Sequence, residues 1–503
     1  MKKLQKLLSS YGLFILLSFF LALFACQNHF TLDDYIFISL PLNNTIVKDM
    51  LHYFYDWGLF RPLGIIYFYV IYSIYLQSPF ISYLIPLLVH ICTGLLVAKV
   101  LSSYLSRTES ICIGILYCTI PFLTEQYAWL AGSNILFTNL SLILQLFVIT
   151  RYGHHKNAFF YLVAMQTIGV LFYETIFFTW IPIGILYYVT THELSTSSIK
   201  QRMIDLGKLL FILSLPCIIY FSIRTFIFPP HVASMRLLPE GIQMFTIPFI
   251  NARRLIEKID HLFVMSYAHT TFWQYTVQLG IKEIYSSIFA IVGAVGLLEL
   301  FFFRLYKSKR EALNMFDSTT LGTISFVFAF FTIFPAMFHF AGPFPFRVLG
   351  LPFFFIITGV FLRIRKYIKH FILYISPLLI VFFLLVSIGM LSVSRSQYHD
   401  DTHFISSILK YINDHKYNQK TIHLVIQNMP SSTSTGFDHD AYGRSCIVTS
   451  WCVLPAFKAR TTSITDVSVN PTSFPEKKTL IMLIVDGTHW NSGIPEQFEI
   501  IEK

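Results

Sequence analysis

Asp33 and Asp34 form a pair of adjacent carboxylates in the segment TLDDYIF, directly after a long apolar run near the N-terminus. Two neighbouring carboxylates can divide the work of a reaction, because one accepts a proton from an attacking hydroxyl while the other holds a cation or a substrate hydroxyl. The structural alternative is that Asp34 caps the helix that follows it. One cap does not require two acids, so the pair is the first candidate for catalytic carboxylates.

Two glutamates stand at the ends of later apolar runs. Glu125 lies in PFLTEQYAWLAGSN, where the alternative is a solvated helix end, and Glu174 lies in LFYETIFF between aromatic and aliphatic neighbours. A buried carboxylate at such a position needs an arginine partner, a cation or a proton. A divalent cation is therefore one option, with Asp34 and Glu125 as its ligands, and the sequence alone leaves the metal undetermined.

Three arginines also stand at the ends of apolar runs, and they are candidates for binding a phosphate. They are Arg61, Arg224 and Arg347. A guanidinium group suits phosphate because its planar fork donates two hydrogen bonds together. The alternative is that these side chains only extend to the polar boundary of the bilayer. His339 lies near Arg347 in sequence and joins the candidate set, although a lone histidine there is commonly structural.

The composition requires an apolar solvent around most of the chain. Of 503 residues, 55% are hydrophobic and only 13% are charged, whereas soluble proteins carry about 25% charged residues. This excludes a disordered chain, a nucleic-acid-binding arm and an ordinary cytosolic enzyme, and it predicts a polytopic membrane protein with membrane lipid as its partner. The net charge of +10 is then mainly a topology signal, and it also fits a protein that handles anionic lipid.

Runs of about 17–25 apolar residues can cross a bilayer as helices. Such runs occupy 8–26, 80–103, 110–128, 134–150, 157–174, 176–191, 207–228, 284–306, 320–341, 346–364 and 370–393. A further run at 62–76 is short and rich in tyrosine, which favours the membrane interface. If it does not cross, every strong basic cluster in a short loop is cytoplasmic; if it crosses, all of them are outside, against the positive-inside rule.

The predicted fold class is therefore an all-α polytopic membrane protein with about eleven transmembrane helices, an outer interfacial helix at 62–76, and a small C-terminal α/β domain. Residues 1–393 form the transmembrane domain, with outer segments at 27–79 and 229–283. Residues 394–503 form a soluble extracytoplasmic domain with a helix at 401–414 and strands at 421–428 and 479–487. The N-terminus is cytoplasmic, the C-terminus is outside, and Cys446 and Cys452 can form a disulfide there.

The ordered set of motifs resembles the glycosyltransferase C superfamily. The closest resemblance is to bacterial relatives of the tetratricopeptide-containing transmembrane O-mannosyltransferases and of protein O-mannosyltransferases. It covers about residues 1–393, although the tetratricopeptide array is missing and the loop at 229–283 contributes no motif. The matching pieces are LDDY (32–35), WGLFRPLG (57–64), LLVHICTGLL (87–96), TEQYAWLAGSNILF (124–137), YET (173–175) and FRVLGLP (346–352).

The resemblance implies sugar transfer from a polyprenyl-phosphate donor to a glycan, lipid or protein acceptor, at the outer face of a bacterial inner (plasma) membrane. Asp33 or Asp34 would be the general base, with inversion at the anomeric carbon. The arginines would stabilise the lipid phosphate, and the two glutamates would hold sugar hydroxyls, a cation or an arginine. The alternatives are a lipid-linked-glycan flippase or transporter, whose charges usually lie near the midplane, and an oligosaccharide polymerase or ligase.

Overall fold

The described parts of the chain are mainly helical. The computed structural model describes residues 2–26, 34–38, 40–41, 46–55, 60–191, 198–228, 247–256, 266–267, 270–286, 291–293, 318–337, 346–368, 371–415, 422–427, 464–469, 481–486 and 498–502. Four of the candidate residues, Asp33, His339, Cys446 and Cys452, lie outside these ranges. The backbone of Arg347 is described, but its side chain is not.

The helices are named in chain order. They are α1 (Lys2–Ala25), α2 (Asp34–Phe37), α3 (Ile46–Tyr55), α4 (Pro62–Gln77), α5 (Pro79–Leu101), α6 (Arg107–Thr119), α7 (Pro121–Ala128), α8 (Asn134–Tyr152), α9 (Ala158–Phe172), α10 (Trp180–Thr191), α11 (Ile199–Ser222), α12 (Phe272–Tyr285), α13 (Ser318–Met337), α14 (Phe346–Arg365) and α15 (Phe371–Asp414). Short 3-10 turns at Leu130–Gly132 and Glu174–Ile176 precede α8 and α10, and a π-helical turn at Ile223–Ile227 extends α11.

Several of these helices can span a membrane, so the chain is an integral, mainly helical membrane protein. Within the described ranges, six helices are long and apolar enough to cross, or seven if the bent pair α6 and α7 forms one span. They are Pro79–Leu101, Leu130–Tyr152, Ile199–Ile227, Ser318–Pro335, Val348–Arg365 and Phe371–Asp414. Shorter apolar helices occupy Gly12–Ala25, Pro62–Gln77, Ala158–Phe172 and Trp180–Thr191.

These helices coincide with most of the predicted spans, but they do not establish the predicted total. The predicted spans at 8–26, 157–174 and 176–191 correspond to shorter helices, and most of the one at 284–306 lies outside the described residues. The number of about eleven spans therefore stays a prediction.

One predicted span, 110–128, is divided in the structure. Helices α6 and α7 meet at an angle of 59°, and Pro121 is the first residue of α7. Proline has no backbone N–H to continue the hydrogen-bond ladder of the preceding turn, so the helix changes direction there. The bend matters because it sets the direction of the short helix that carries Glu125.

The predicted domain boundary between residues 393 and 394 falls inside one continuous helix. Helix α15 runs for 44 residues, from Phe371 to Asp414, and it includes the helix predicted at 401–414. Residues 391–403 contain neither proline nor glycine, so nothing in the local sequence interrupts the backbone ladder. The last apolar span therefore continues without a break into the polar C-terminal region.

Helix α12 packs very closely against α15. A Cβ atom added at Gly280 would lie 2.1 Å from the carbonyl oxygen of Leu385, and one at Gly389 would lie 2.0 Å from the carbonyl oxygen of Thr276. Only glycine allows these two backbones to touch, as in other helix pairs within membranes. The end of the predicted outer segment 229–283 is thus fixed to the last long helix.

The C-terminal region contains a four-stranded sheet. Its strands are β3 (Ile422–Gln427), β4 (Ile464–Val469), β5 (Ile481–Asp486) and β6 (Phe498–Glu502). A separate short hairpin of β1 (Ser266–Tyr267) and β2 (Thr270–Thr271) precedes α12. The order is β4-β3-β5-β6, with β3 parallel to β4 and β5, and β6 antiparallel to β5. Strands β3 and β5 are the two that the sequence predicts.

The sheet shares a hydrophobic core with the segments that carry Asp34. Phe404 and Ile408 of α15 are buried together with Leu424 of β3, and the same cluster contains Phe37 and Trp129. The burial follows the helical period, because every third or fourth residue of this part of α15 faces the cluster. The sheet therefore lies at the same end of the molecule as α2 and the turn after α7.

Candidate functional site

Asp34 is buried where three distant segments of the chain meet. It is the first residue of α2 and has no exposed surface. The backbone N–H of Ala131 donates to Oδ1 of Asp34 at 2.8 Å, and the Tyr72 hydroxyl donates to the same oxygen. Because both donors come from other elements, the side chain of Asp34 does more than cap its own helix.

The elements around Asp34 are positioned by aromatic packing and one further hydrogen bond. The ring of Phe37 lies 4.3 Å from that of Phe68 on α4, so α2 packs along α4. The hydroxyls of Tyr67 and Ser133 are 2.8 Å apart, which joins α4 to the turn after α7. The Ala131 N–H and the Tyr72 hydroxyl are thereby directed at the same carboxylate oxygen.

Glu125 lies inside the bundle and not at a solvated helix end, so the structural alternative for this residue is wrong. It is fully buried on α7, the short helix produced by the bend at Pro121. Its neighbour Thr124 donates to Ser387 of α15 at 2.8 Å, and Asn139 of α8 donates to Gln126 at 2.7 Å. These polar bonds fix α7 between two long helices.

Glu174 pairs with two arginines, which is the first of the three alternatives considered for this carboxylate. Arg61 donates through Nε to Oε2 at 2.7 Å and through Nη2 to Oε1 at 3.0 Å, and Arg224 donates through Nη1 to Oε1. Side-chain exposure is 6% for Glu174, 1% for Arg224 and 16% for Arg61. Two guanidinium groups therefore share this one carboxylate in a nearly dry setting.

Two tyrosines complete this cluster of Arg61, Glu174 and Arg224. The guanidinium carbon of Arg61 lies 3.9 Å from the centre of the Tyr173 ring, a cation–π contact that also covers the charge from one side. Arg224 Nη1 lies 3.5 Å from the Tyr220 hydroxyl. The result is a rigid basic cluster that joins the start of α4 to the ends of α9 and α11.

Helix α4 separates the Asp34 site from this arginine cluster. Arg61 is the N-cap of α4, and Tyr72 follows eleven positions later in the sequence. At 1.5 Å of rise per residue, this places the two backbone positions about 16 Å apart along the axis. The predicted outer site residues therefore form two groups, one around Asp34 and the other around Glu174.

Helix α14 brings Arg347 towards α7. A Cβ atom at Gly350 would lie 2.4 Å from Leu123 Cδ2, so the second turn of α14 touches the helix that carries Glu125. Arg347 lies three residues before Gly350, in the first turn of α14. Among the candidate arginines, its backbone is thus the one attached to the Glu125 helix.

Sequence reasoning missed Tyr72 of the Asp34 site, and the structure also shows the surroundings of His90, which lies elsewhere in the bundle. Tyr72 is one of four tyrosines in α4, and no spacing rule distinguishes it from the others. His90, in the motif LLVHICTGLL, lies between the rings of Tyr117 and Tyr127 at centroid distances of 5.1 and 5.0 Å. Its Nε2 atom is 3.1 Å from the carbonyl oxygen of Cys118, so it is a structural contact in this bundle.

Two described carboxylates, Asp34 and Glu125, remain candidates for a divalent cation. Within the described ranges, no three His, Cys, Asp or Glu side chains cluster as a metal site requires. Asp33, which is not among the predicted metal ligands, lies outside those ranges.

Comparison of the chain with protein-family models, curated proteins and solved structures gives no match. The class of protein that the fold and site define is an integral membrane protein in which Asp34, Glu125 and the cluster of Arg61, Glu174 and Arg224 are buried among its helices. A particular activity has to be argued from this site.

Proposed function

We propose that the chain is a membrane glycosyltransferase, which moves a sugar from a polyprenyl-phosphate donor to an acceptor hydroxyl at the outer membrane face. The observation that carries the proposal is the gathering of Asp34, Glu125 and the Glu174–arginine cluster at one end of a helical membrane protein. Asp34, Arg61, Glu125 and Glu174 each lie in a motif that resembles the glycosyltransferase C superfamily, whereas Arg224 lies outside those motifs. The acceptor is a cell-surface glycan, a lipid or a protein.

In the proposed reaction, Asp33 or Asp34 accepts the proton of the acceptor hydroxyl. The acceptor oxygen then attacks the anomeric carbon, and the bond from that carbon to the phosphate oxygen breaks with its electrons leaving on the lipid phosphate. Attack from the side opposite the phosphate inverts the anomeric centre. The bonds from Ala131 and Tyr72 support this role for Asp34, because a base must be held in one orientation to act efficiently.

The leaving phosphate gains negative charge, and arginines can stabilise it. Arg347 is the strongest candidate, because α14 packs on the helix that carries Glu125. The cluster of Arg61, Glu174 and Arg224 lies at the far end of α4 from Tyr72, so its two guanidinium groups suit the attraction of an anionic donor more than direct contact with the reacting bond. Glu125 is left to bind a sugar hydroxyl or a cation.

The proposed topology has about eleven spans, a cytoplasmic N-terminus and an extracytoplasmic C-terminal domain. Helix α4 has 16 residues, and α9 and α10 are shorter still, so its interfacial position is argued from the charges of the loops and not from its length. Contacts also join helix ends that are assigned to the same side. Glu109 pairs with Arg365 at 2.7 Å, and Arg151 Nη2 donates to the carbonyl oxygen of Lys99 at 3.3 Å.

Reporter fusions test this topology directly. We expect fusions at Arg107, Lys200 and Arg310 to report the cytoplasm and a fusion at Lys503 to report the outside, because the basic loops are then retained inside. A cytoplasmic signal at Lys503 would contradict the eleven-span arrangement and the outer location of the site.

The second candidate is a flippase or transporter of a lipid-linked glycan. One observation favours it: α6 and α7 form a bent helix pair with a buried glutamate in the short half, and transporters often bind substrates at interrupted helices. An oligosaccharide polymerase or ligase would use the same lipid-phosphate leaving group and differ only in the acceptor. The gathering of charges at one end of the bundle favours an enzyme over a transporter.

Purified protein supplied with a polyprenyl-phosphate sugar and an acceptor extract separates these functions. The glycosyltransferase proposal expects labelled sugar to appear in the acceptor. Movement of a lipid-linked glycan across vesicles, with no sugar transfer from any donor, would support the transporter instead. Glycolipid analysis of a deletion strain would identify the sugar and the acceptor by showing which surface glycan loses a residue.

Replacement of Arg347 by alanine is expected to lower kcat/KM for the lipid donor by about 10- to 100-fold, since a hydrogen bond to a charged group contributes roughly 1.5–3 kcal/mol. Arg347→Lys should restore only part of the loss, because a point charge replaces a planar fork. Initial rates at varied donor concentration measure the effect. Arg107→Ala, in the first turn of α6 at the end assigned to the cytoplasm, is the control, and equal losses in both variants would remove Arg347 from the site.

A further inference from the structure

A cavity lies between five helices at the end of the bundle opposite Asp34. Its walls are formed by α5, α8, α10, α13 and α14, and nearly all the lining side chains are aliphatic or aromatic, such as Val97, Leu146 and Phe354. The centre of a water-sized sphere can move within about 70 Å³. This is several times the roughly 10–15 Å³ that one water molecule needs, and apolar walls of this kind do not favour water.

Three exposed basic residues stand beside this cavity. Lys99, Arg151 and Arg363 are each next in sequence to a residue of the cavity wall: Val100, Thr150 and Leu362. They occupy the ends of three different lining helices, α5, α8 and α14. These three residues place positive charge at the ends of the helices that line the cavity, and they are called the basic rim.

The two arginines of this rim reach across helix ends. Arg151 Nη2 donates to the Ser102 hydroxyl at 3.1 Å, and Arg363 Nη2 donates to the Thr323 hydroxyl at 3.0 Å. These partners are neutral, so neither bond cancels a charge. Of the described acidic residues at this end, Glu109 pairs with Arg365 through two hydrogen bonds of 2.7 and 3.2 Å, and Asp205 on α11 accepts a hydrogen bond from Gln201.

One wall residue points to the chemistry of the occupant. Thr358 is 3% exposed and lines the cavity, and its hydroxyl has no hydrogen-bond partner among the described residues. Thr332, on the neighbouring α13, instead donates to the carbonyl oxygen of Phe328 at 2.8 Å. A buried hydroxyl without a partner is costly, so a suitable occupant carries an acceptor such as an ester carbonyl.

We propose that this cavity binds an acyl chain of an anionic membrane phospholipid. The hydrocarbon occupies the apolar space, an ester carbonyl accepts a hydrogen bond from Thr358, and the phosphate lies at the rim of Lys99, Arg151 and Arg363. Basic pockets between transmembrane helices bind anionic headgroups in this way. The site is separate from the proposed sugar transfer, because it lies at the other end of the helices.

Lipid retention by the purified full-length protein tests the proposal. The protein is placed in phosphatidylcholine discs with or without phosphatidylglycerol, and bound lipid is counted by native mass spectrometry. We expect the wild-type protein to retain phosphatidylglycerol selectively. Thr358→Leu fills the cavity and should abolish this retention. The double variant Lys99→Gln with Arg151→Gln removes two basic contacts and should lower the affinity for phosphatidylglycerol by about 30-fold. Thr167→Leu on α9 and Lys208→Gln on α11 are matched controls away from the cavity.

Three results would overturn the proposal. They are equal retention of phosphatidylcholine and phosphatidylglycerol, undiminished retention in Thr358→Leu, and displacement of phosphatidylglycerol by an equal amount of polyprenyl phosphate, which would assign the cavity to the donor tail. If Thr358→Leu fails to fold, the exposed charge variant still decides the question. None of these readouts depends on sugar transfer, so failure here leaves the proposed function standing.

Discussion

Asp34→Asn is expected to lower sugar transfer by about 10²–10⁴-fold, the usual loss when a general base is removed. The amide keeps an oxygen that can accept the hydrogen bonds from Ala131 and Tyr72, so the protein should still accumulate in the membrane. Asp33→Asn is expected to have an effect of similar size if Asp33 is the base or holds the acceptor. Transfer rates with purified protein, normalised to the amount in the membrane, measure both.

Asp205→Asn is the matched control for these variants. Asp205 lies on α11 and accepts a hydrogen bond from Gln201 at 2.9 Å, at the end assigned to the cytoplasm, so its replacement should leave the rate unchanged. If both Asp33→Asn and Asp34→Asn transfer sugar at the wild-type rate, the pair has only a structural role. The active site would then have to be sought around Glu125 and Glu174.

Glu174→Gln is expected to destabilise the protein strongly, because it leaves the guanidinium groups of Arg61 and Arg224 buried without their carboxylate. Breaking a buried ion pair typically costs about 3–5 kcal/mol. The double variant Glu174→Gln with Arg224→Gln removes one guanidinium group together with the carboxylate, so it should be less destabilised than the single variant. The apparent unfolding temperature in detergent measures both.

The contrast with Glu283 controls for the general loss of an ion pair. Glu283 pairs with Arg395 between α12 and α15, where the two side chains are 20% and 24% exposed. These side chains are more exposed than those of Glu174 and Arg224, so water screens the pair more, and Glu283→Gln should cost less than the roughly 3–5 kcal/mol expected for Glu174→Gln. Equal unfolding temperatures for Glu174→Gln and Glu283→Gln would show that burial does not strengthen the Glu174 cluster.

The sequence predicts the apolar helices well because membrane burial requires long runs of one residue class. It predicts bends less well. The apolar run at 110–128 continues through Pro121, so length alone suggests one span, and only the missing amide of the proline marks the corner. At the end of the last span, the change to polar residues at 394 suggests that the helix ends there. The structure shows that α15 continues, because no proline or glycine interrupts its backbone at that point.

The site could be predicted as a set of residue types but not as a set of contacts. Burial made a partner for Glu174 necessary, yet Arg61 is 113 positions away and only tertiary packing selects it. The Ala131 N–H that orients Asp34 is a backbone group, which no residue pattern identifies. The separation of Asp34 from the arginine cluster follows from the length of α4, which places its two ends in different surroundings.

The length of α15 has a mechanical consequence. Its 44 residues make a rod of about 66 Å, roughly twice the 30 Å thickness of a hydrocarbon core. The internal proline, Pro377, precedes Ser387, so the part of the helix from Ser387 to Asp414 contains no proline, and its outer end contributes to the core of the sheet. Ser387 accepts the hydrogen bond from Thr124, one residue before Glu125. One continuous helical segment therefore connects the sheet to the corner that holds Glu125.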